Sequence, residues 1–110
     1  MAIRAITNGL DHKIRNDENF HLVFNIVVVP ELCKLLASTT IDDYCIFIDI
    51  QPVDGGTKVV FHDGGSTYDE KSDAMKYTYY KKMNTDIPLS LKETLYYSID
   101  EQVICFLDER

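Results

Sequence analysis

The chain has 110 residues, of which 45% are hydrophobic and 26% charged, ordinary values for a single soluble globular domain spanning 1–110. The formal net charge of −7 and the pI of about 4.7 argue against binding nucleic acid or an anionic membrane through bulk charge. The charge is unevenly distributed: residues 41–73 hold eight acids against two bases, a net charge of −6.

The sequence predicts a cytoplasmic protein. The first residues show no signal-like apolar run with a small-residue cleavage site, so we expect no leader. The most apolar stretch, 20–29, is about half the length of a membrane-spanning helix. Cys33, Cys45 and Cys105 lie far apart in separate apolar runs, a pattern typical of buried free thiols in a reducing compartment.

The chain begins with a predicted strand, turn and loop. Residues 2–7 are apolar enough for a short strand, Asn8-Gly9 is a turn signal, and the polar residues 11–19 suggest a loop. Residues 20–29 fit both an alternating and a helical pattern, and the β-branched run from Ile26 to Val29 favours a strand.

Pro30 suits the first turn of a helix, because its missing N–H has no helical partner there. We therefore predict a short helix over 30–38 with its leucines facing inward. One long helix kinked at Pro30 is the alternative interpretation of residues 20–38.

The middle of the chain predicts a β-hairpin. Residues 44–50 alternate, with Ile46 and Ile48 on one face and Phe47 on the other, and residues 57–62 form a second strand after a glycine-rich turn. Residues 66–84 fit either a helix or a strand, and their Tyr and Thr content favours a third strand at about 75–82.

The last segment carries helix signals. Ser90 with Glu93 matches a capping box, and apolar residues follow at helical spacing, which predicts a helix over 91–108. The predicted fold class is therefore α+β: an antiparallel sheet of about 4–5 strands with a short helix (30–38) and a C-terminal helix (91–108) packed on it.

We find no motif for catalysis, a metal or a cofactor, and we predict none of them. His12, His21 and His62 match no metal-binding spacing, and the glycine pairs lack the Lys-Ser/Thr of a phosphate-binding loop. A small metal-dependent hydrolase using His62 and Asp63 is an alternative, and a homo-oligomeric structural protein or homodimer is another.

The acids and tyrosines point to a protein partner. Tyrosine supplies a large apolar area with a polar tip, and a concentrated anionic field attracts a basic protein. The predicted contact residues are Asp42, Asp43, Asp54, Asp63, Asp69, Glu70, Asp73, Tyr68, Tyr77 and Tyr80. The function hypothesis is an immunity or antitoxin-like inhibitor of a basic nuclease or toxin domain, or a phage-encoded inhibitor of a host defence protein.

Overall fold

The computed structural model describes residues 5–37, 45–62, 67–69, 74–76 and 80–109, with the backbone alone at 67–69, 74–76 and 80. Two helices, α1 (Asn8–Asn16) and α2 (Glu18–Ala37), pack on one face of a six-stranded sheet. The strands are β1 (Ala5–Ile6), β2 (Cys45–Val53), β3 (Gly56–His62), β4 (Thr67–Asp69), β5 (Ala74–Lys76), β6 (Tyr80–Thr85), β7 (Glu93–Ser98) and β8 (Val103–Phe106), followed by a 3-10 turn (Leu107–Glu109).

The strand order in the main sheet is β1-β8-β7-β2-β3-β6, and β4 pairs separately with β5. The α+β class and the β2–β3 hairpin are confirmed. The sheet is larger than predicted, with six strands, and it is mixed because β1 runs parallel to β8 while the other pairs are antiparallel. A single strand was expected at about 75–82; its residues 75–76 lie in β5, 80–82 lie in β6 of the main sheet, and 77–79 lie outside the described residues.

The predicted C-terminal helix over 91–108 is wrong. Those residues form the β7–β8 hairpin, in which Leu95 and Tyr97 are fully buried while Thr94 and Tyr96 face the other side. The alternation and the β-branched and aromatic residues favour a strand, and β2 offers it a partner along its whole length. Leu91, the first residue of the predicted helix, is 60% exposed.

The predicted strand over 20–29 is also wrong, and the alternative of one long helix is closer to the structure. α2 consists of α-helical turns at Glu18–Val23 and Val29–Ala37 joined by one π-helical turn at Phe24–Val28. The side-chain carboxylate of Asp17 caps its first turn by accepting from the N–H of Phe20 at 3.1 Å.

The π turn has two consequences for α2. Its buried residues repeat every four positions from Phe20 to Leu32, and a regular helix of 3.6 residues per turn would rotate that stripe away from the sheet. The wider turn removes this drift. It also precedes Pro30, which has no N–H to donate and crowds the carbonyl four residues earlier. The N–H of Val29 donates to the carbonyl of Phe24, five residues earlier, which is the hydrogen-bond pattern of a π turn.

The predicted turn at Asn8-Gly9 and the loop over 11–19 are replaced by α1 and the start of α2. Leu10 is buried beneath α1, and the pairs Lys13–Asp17 and Arg15–Asp11, both at 3.0 Å, lie at helical i, i+4 spacing. Thr7 alone separates β1 from α1. The strand predicted over 2–7 is seen at Ala5–Ile6, and its residues 2–4 lie outside the described residues.

The helical run Glu18–Ala37 is long and apolar enough, by length and composition alone, to cross a membrane: it has 20 residues, and its most apolar 18-residue window has a mean hydropathy of 1.7. It is longer than the apolar stretch 20–29, which the sequence analysis compared with a membrane-spanning helix. About 44% of that window is buried inside the protein, where Phe20, Val23 and Val28 pack into the core over the sheet. Core helices of soluble proteins and signal sequences pass the same test of length and composition.

Candidate functional site

The two faces of the sheet differ in character. On β2, Ile46, Ile48 and Ile50 are buried beneath the helices, while Phe47 and Asp49 alternate onto the opposite side, as the sequence predicts. Both described helices lie over the isoleucine side. We call the other side the open face, defined by Phe47, Asp49, His62, Thr94 and Tyr96.

An aromatic row crosses the open face. Phe47 of β2 stands opposite His62 of β3 and Tyr96 of β7. The Phe47 ring stacks on the imidazole at 5.5 Å between centroids and 11° between planes, and it meets the Tyr96 ring edge-on, also at 5.5 Å. Such pairs fix the orientation of each ring, so the row is a preorganised surface of partly exposed aromatic side chains.

A hydrogen-bonded carboxylate lies beside this row. Oδ2 of Asp49 is 2.8 Å from Nε2 of His62, and Oδ1 accepts a hydrogen bond from the hydroxyl of Thr94 at 3.2 Å. Three neighbouring strands are thus joined by one side chain. The Asp49 side chain is 37% exposed and that of His62 14%, so the acid reaches solvent while the imidazole is held beneath it.

The chemistry of this group supports recognition more directly than catalysis or metal binding. An ionised carboxylate only accepts hydrogen bonds, and both oxygens of Asp49 already have donors within the protein. No group of three His, Cys, Asp or Glu side chains that could hold a metal occurs in the described part of the chain. Asp63, the predicted partner of His62, lies outside that part.

The antiparallel register brings several strand ends together at one end of the sheet. β2, β6 and β8 begin there, while β3 and β7 end there. We call this the acidic end, because the connections that join these strand ends are residues 38–44, 63–79 and 99–102, which hold eight acids and two bases. Their net charge of −6 compares with −7 for the whole chain.

The acids of these connections whose side chains are described are Asp100 and Glu101, both exposed in the β7–β8 loop. That loop is held by the N–H of Gln102, which donates to the carbonyl of Ser98 at 2.8 Å, and Gln102 itself adopts a left-handed φ of 59°. The aromatic row lies close by, since Phe47 and His62 are within two residues of the strand ends.

Four of the ten predicted contact residues lie among the described residues and six lie outside them. Asp54 is exposed in the β2–β3 turn, about 20 Å along the strands from the acidic end. Tyr68 and Asp69 belong to β4, and Tyr80 opens β6 in register with His62. The predicted residues outside the described ones are Asp42, Asp43, Asp63, Glu70, Asp73 and Tyr77.

The sequence interpretation missed Phe47, Asp49, Thr94, Tyr96 and the loop acids Asp100 and Glu101. Phe47 and Asp49 could have been found, because they alternate with buried isoleucines and must therefore share the opposite face. The other four residues were missed because a helix was predicted over 91–108, so β7 was not recognised as the strand that pairs with β2.

A polar cleft of about 480 Å³ lies elsewhere, between α1 and the far ends of β7 and β8. Its lining residues include His12, Lys13, Asp17 and Glu93. The Lys13 ammonium is bound to Asp17 at 3.0 Å and lies 5.7 Å from the centre of the Phe20 ring. Lys13 and Asp17 therefore pair with each other, and neither charge is left over in the cleft to bind a charged ligand strongly.

The thiols are free, as predicted, but not uniformly buried. Cys105 is buried on the open face beneath Tyr96, where its thiol lies 3.7 Å from the Tyr96 carbonyl oxygen. Cys33 and Cys45 are partly exposed.

Comparisons with protein-family models, with curated proteins and with solved structures found no match.

Proposed function

We propose that this protein binds and neutralises a basic protein through the acidic end and the adjoining aromatic row. The observation that carries the proposal is the register of the sheet, which joins the acidic connections to the strand ends beside Phe47, His62 and Tyr96. Aromatic side chains anchor protein interfaces, and charges around them steer the encounter.

The charge distribution favours a cationic partner. A field of one sign at one end of a small protein raises the association rate with an oppositely charged surface and repels nucleic acid. Nucleases and many toxin domains have basic, phosphate-binding active sites. An immunity or antitoxin-like inhibitor, or a phage-encoded inhibitor of a host defence protein, acting in the cytoplasm would use these properties.

The partly exposed Asp49 adds specificity to this surface. Its carboxylate is fixed by His62 and Thr94, so its position is set before a partner arrives. A cation on the partner would meet an oriented acceptor flanked by aromatic rings, an arrangement suited to an arginine side chain.

The test is capture of partners from a lysate of the source cell, eluted with a salt gradient and identified by mass spectrometry. Two variants with equal charge changes are compared: D42N/D43N/D63N, whose positions precede β2 or follow β3 in the chain, and D54N/D86N/D108N, which lie away from the acidic end. We expect one basic nuclease or toxin domain at near one-to-one stoichiometry with wild type and with the second variant. The first variant should lose it at lower salt.

Capture that is equal for both variants, or no specific capture, would contradict the proposal. Inhibition of the captured enzyme by wild-type protein separates a neutralising role from simple binding. Metal analysis of the purified protein addresses the hydrolase alternative, because a stoichiometric metal would favour a site built on His62 and Asp63.

A further inference from the structure

The outer face of α2, on the side of the molecule away from the open face, carries a regular stripe of exposed residues. Its members lie four positions apart and are Glu18, Leu22, Ile26, Pro30 and Lys34. Leu22 is 40% exposed and Ile26 59%, which places both among the exposed large hydrophobic residues of the protein. The π turn that keeps the buried face of α2 aligned with the sheet also keeps this stripe straight.

The stripe is symmetric about Ile26. An acid lies eight residues before it and a base eight residues after it, with apolar residues between. If two copies of α2 pack antiparallel about a two-fold axis at Ile26, Glu18 of each copy faces Lys34 of the other. Neither Glu18 nor Lys34 has an ion-pair partner among the described residues, so both charges are available.

We infer that this stripe, the α2 stripe, is a self-association surface, and that its occupant is a second copy of the same chain. The two-fold arrangement buries Leu22, Ile26 and Pro30 from both copies and forms the Glu18–Lys34 pair twice. Antiparallel packing also sets each positive helix N-terminus beside the negative C-terminus of the other copy. A parallel pair would instead place like charges opposite each other.

The size of the contact defines the strength of the association. A helix of 20 residues is about 30 Å long and about 10 Å wide, so the footprint is roughly 300 Å² per copy. Stable interfaces bury about 800 Å² per partner. The α2 stripe therefore supports a weak dimer, whose population depends on concentration. The two open faces point outward in this dimer and stay accessible.

The experiment is sedimentation of the full chain across about 10 µM to 1 mM. Ile26→Glu places two like charges at the two-fold axis, and we expect it to weaken dimerisation by about tenfold or more. The matched control is Leu91→Glu, because Leu91 is 60% exposed against 59% for Ile26 and lies outside the stripe. Its dimer constant should equal that of wild type.

A charge swap tests the antiparallel register. Glu18→Lys alone should weaken the dimer by about three- to tenfold, since it opposes Lys34 twice, and Glu18→Lys with Lys34→Glu should restore it. A monomer at all concentrations, a swap without restoration, or equal effects of the two glutamate variants at 26 and 91 would overturn the inference. So would binding of wild type but not I26E to phosphatidylcholine vesicles without dimerisation, which would assign the stripe to a lipid surface.

Discussion

The hydroxyl of Thr7 donates to Oε1 of Glu109 at 2.6 Å, across 102 positions of the chain. The same carboxylate accepts from the N–H of Gly9 and from the N–H of Phe106, each at 3.1 Å. Thr7 is the N-cap of α1, and its own side chain makes no capping hydrogen bond. Glu109 therefore caps α1 from the far end of the sequence and holds the C-terminal turn against it.

We expect Glu109→Ala to lower the free energy of unfolding by about 1 kcal/mol, the ordinary contribution of a helix cap. Urea denaturation measures the change. Glu101→Ala is the control, because Glu101 is exposed and its side chain caps no helix. An equal loss in both variants would show that Glu109 is not a cap.

The cap should depend on pH. The hydrogen bonds from Thr7, and then those from Phe106 and Gly9, hold the pKa of the Glu109 carboxyl below its ordinary value of 4.5. A depressed folded-state pKa contributes stability above the ordinary value, and the contribution disappears as the pH falls through the folded-state pKa. The difference between wild type and E109A should therefore be full at pH 6 and shrink below about pH 4.5. A difference that is constant with pH would contradict this.

Gly9→Ala tests the same contact from the helix side. A Cβ at Gly9 would overlap Oε2 of Glu109, so the carboxylate must move away. Alanine otherwise favours a helix over glycine by about 1 kcal/mol. We expect G9A to be neutral or destabilising in wild type and stabilising in the E109A background, a coupling that a double-mutant cycle in urea measures. Additive effects would show that Gly9 and Glu109 do not interact.

Asp17 joins the two helices. Its carboxylate accepts from the N–H of Phe20 and pairs with Lys13, and these contacts, the first most strongly, hold the pKa of Asp17 below its ordinary value of 3.8. We expect Asp17→Ala to cost about 1 kcal/mol at neutral pH in thermal or urea unfolding. Asp17→Asn keeps a capping oxygen and should cost less. Equal losses would assign the effect to the charge alone.

The hairpin β2–β3 could be predicted from the sequence, because alternating isoleucines and a glycine turn are local signals. The long helix and the C-terminal hairpin could not be predicted in this way. In each of them, tertiary contacts override the secondary structure that the local sequence favours. The β-branched run at Ile26–Val29 stays helical since Val27 and Val28 are buried against the sheet. The capping-box pattern at Ser90 is overridden by the pairing of β7 with β2.

The candidate site depends on the same long-range information. Phe47 and Asp49 can be placed on one face from alternation within β2, and His62 follows from the predicted hairpin, but Thr94 and Tyr96 follow only from the pairing of β7 with β2. Asp54 shows the same dependence: it lies in the β2–β3 turn, at the opposite end of the sheet from the acidic end, although it is only nine residues from Asp63 in the chain.

The β2–β3 turn depends on two glycines for different reasons. A Cβ at Gly56 would overlap the carbonyl oxygen of Thr85 on β6, whereas Gly55 has open space around it but a φ of +82°. We expect Gly56→Ala to force β3 and β6 apart and to cost about 3 kcal/mol or more, and Gly55→Ala to cost about 1 kcal/mol from backbone strain. Thermal unfolding of both variants measures this, and the reverse order would contradict the close approach of β6.

The open-face carboxylate predicts the proton position on His62. Because Asp49 accepts only, the hydrogen of a neutral imidazole must reside on Nε2, and the long-range ¹H–¹⁵N spectrum should show this tautomer.

Asp49→Ala removes the acceptor from both His62 and Thr94 and should cost about 1–3 kcal/mol, with the spectrum changing to a tautomer mixture. Thr94→Val removes one donor from a carboxylate that water still reaches, so it should cost under about 1 kcal/mol and leave the His62 spectrum unchanged. An Nδ1–H tautomer in wild type would mean that Asp49 does not set the orientation of His62, and the fixed position assigned to the carboxylate on the binding surface would be lost with it.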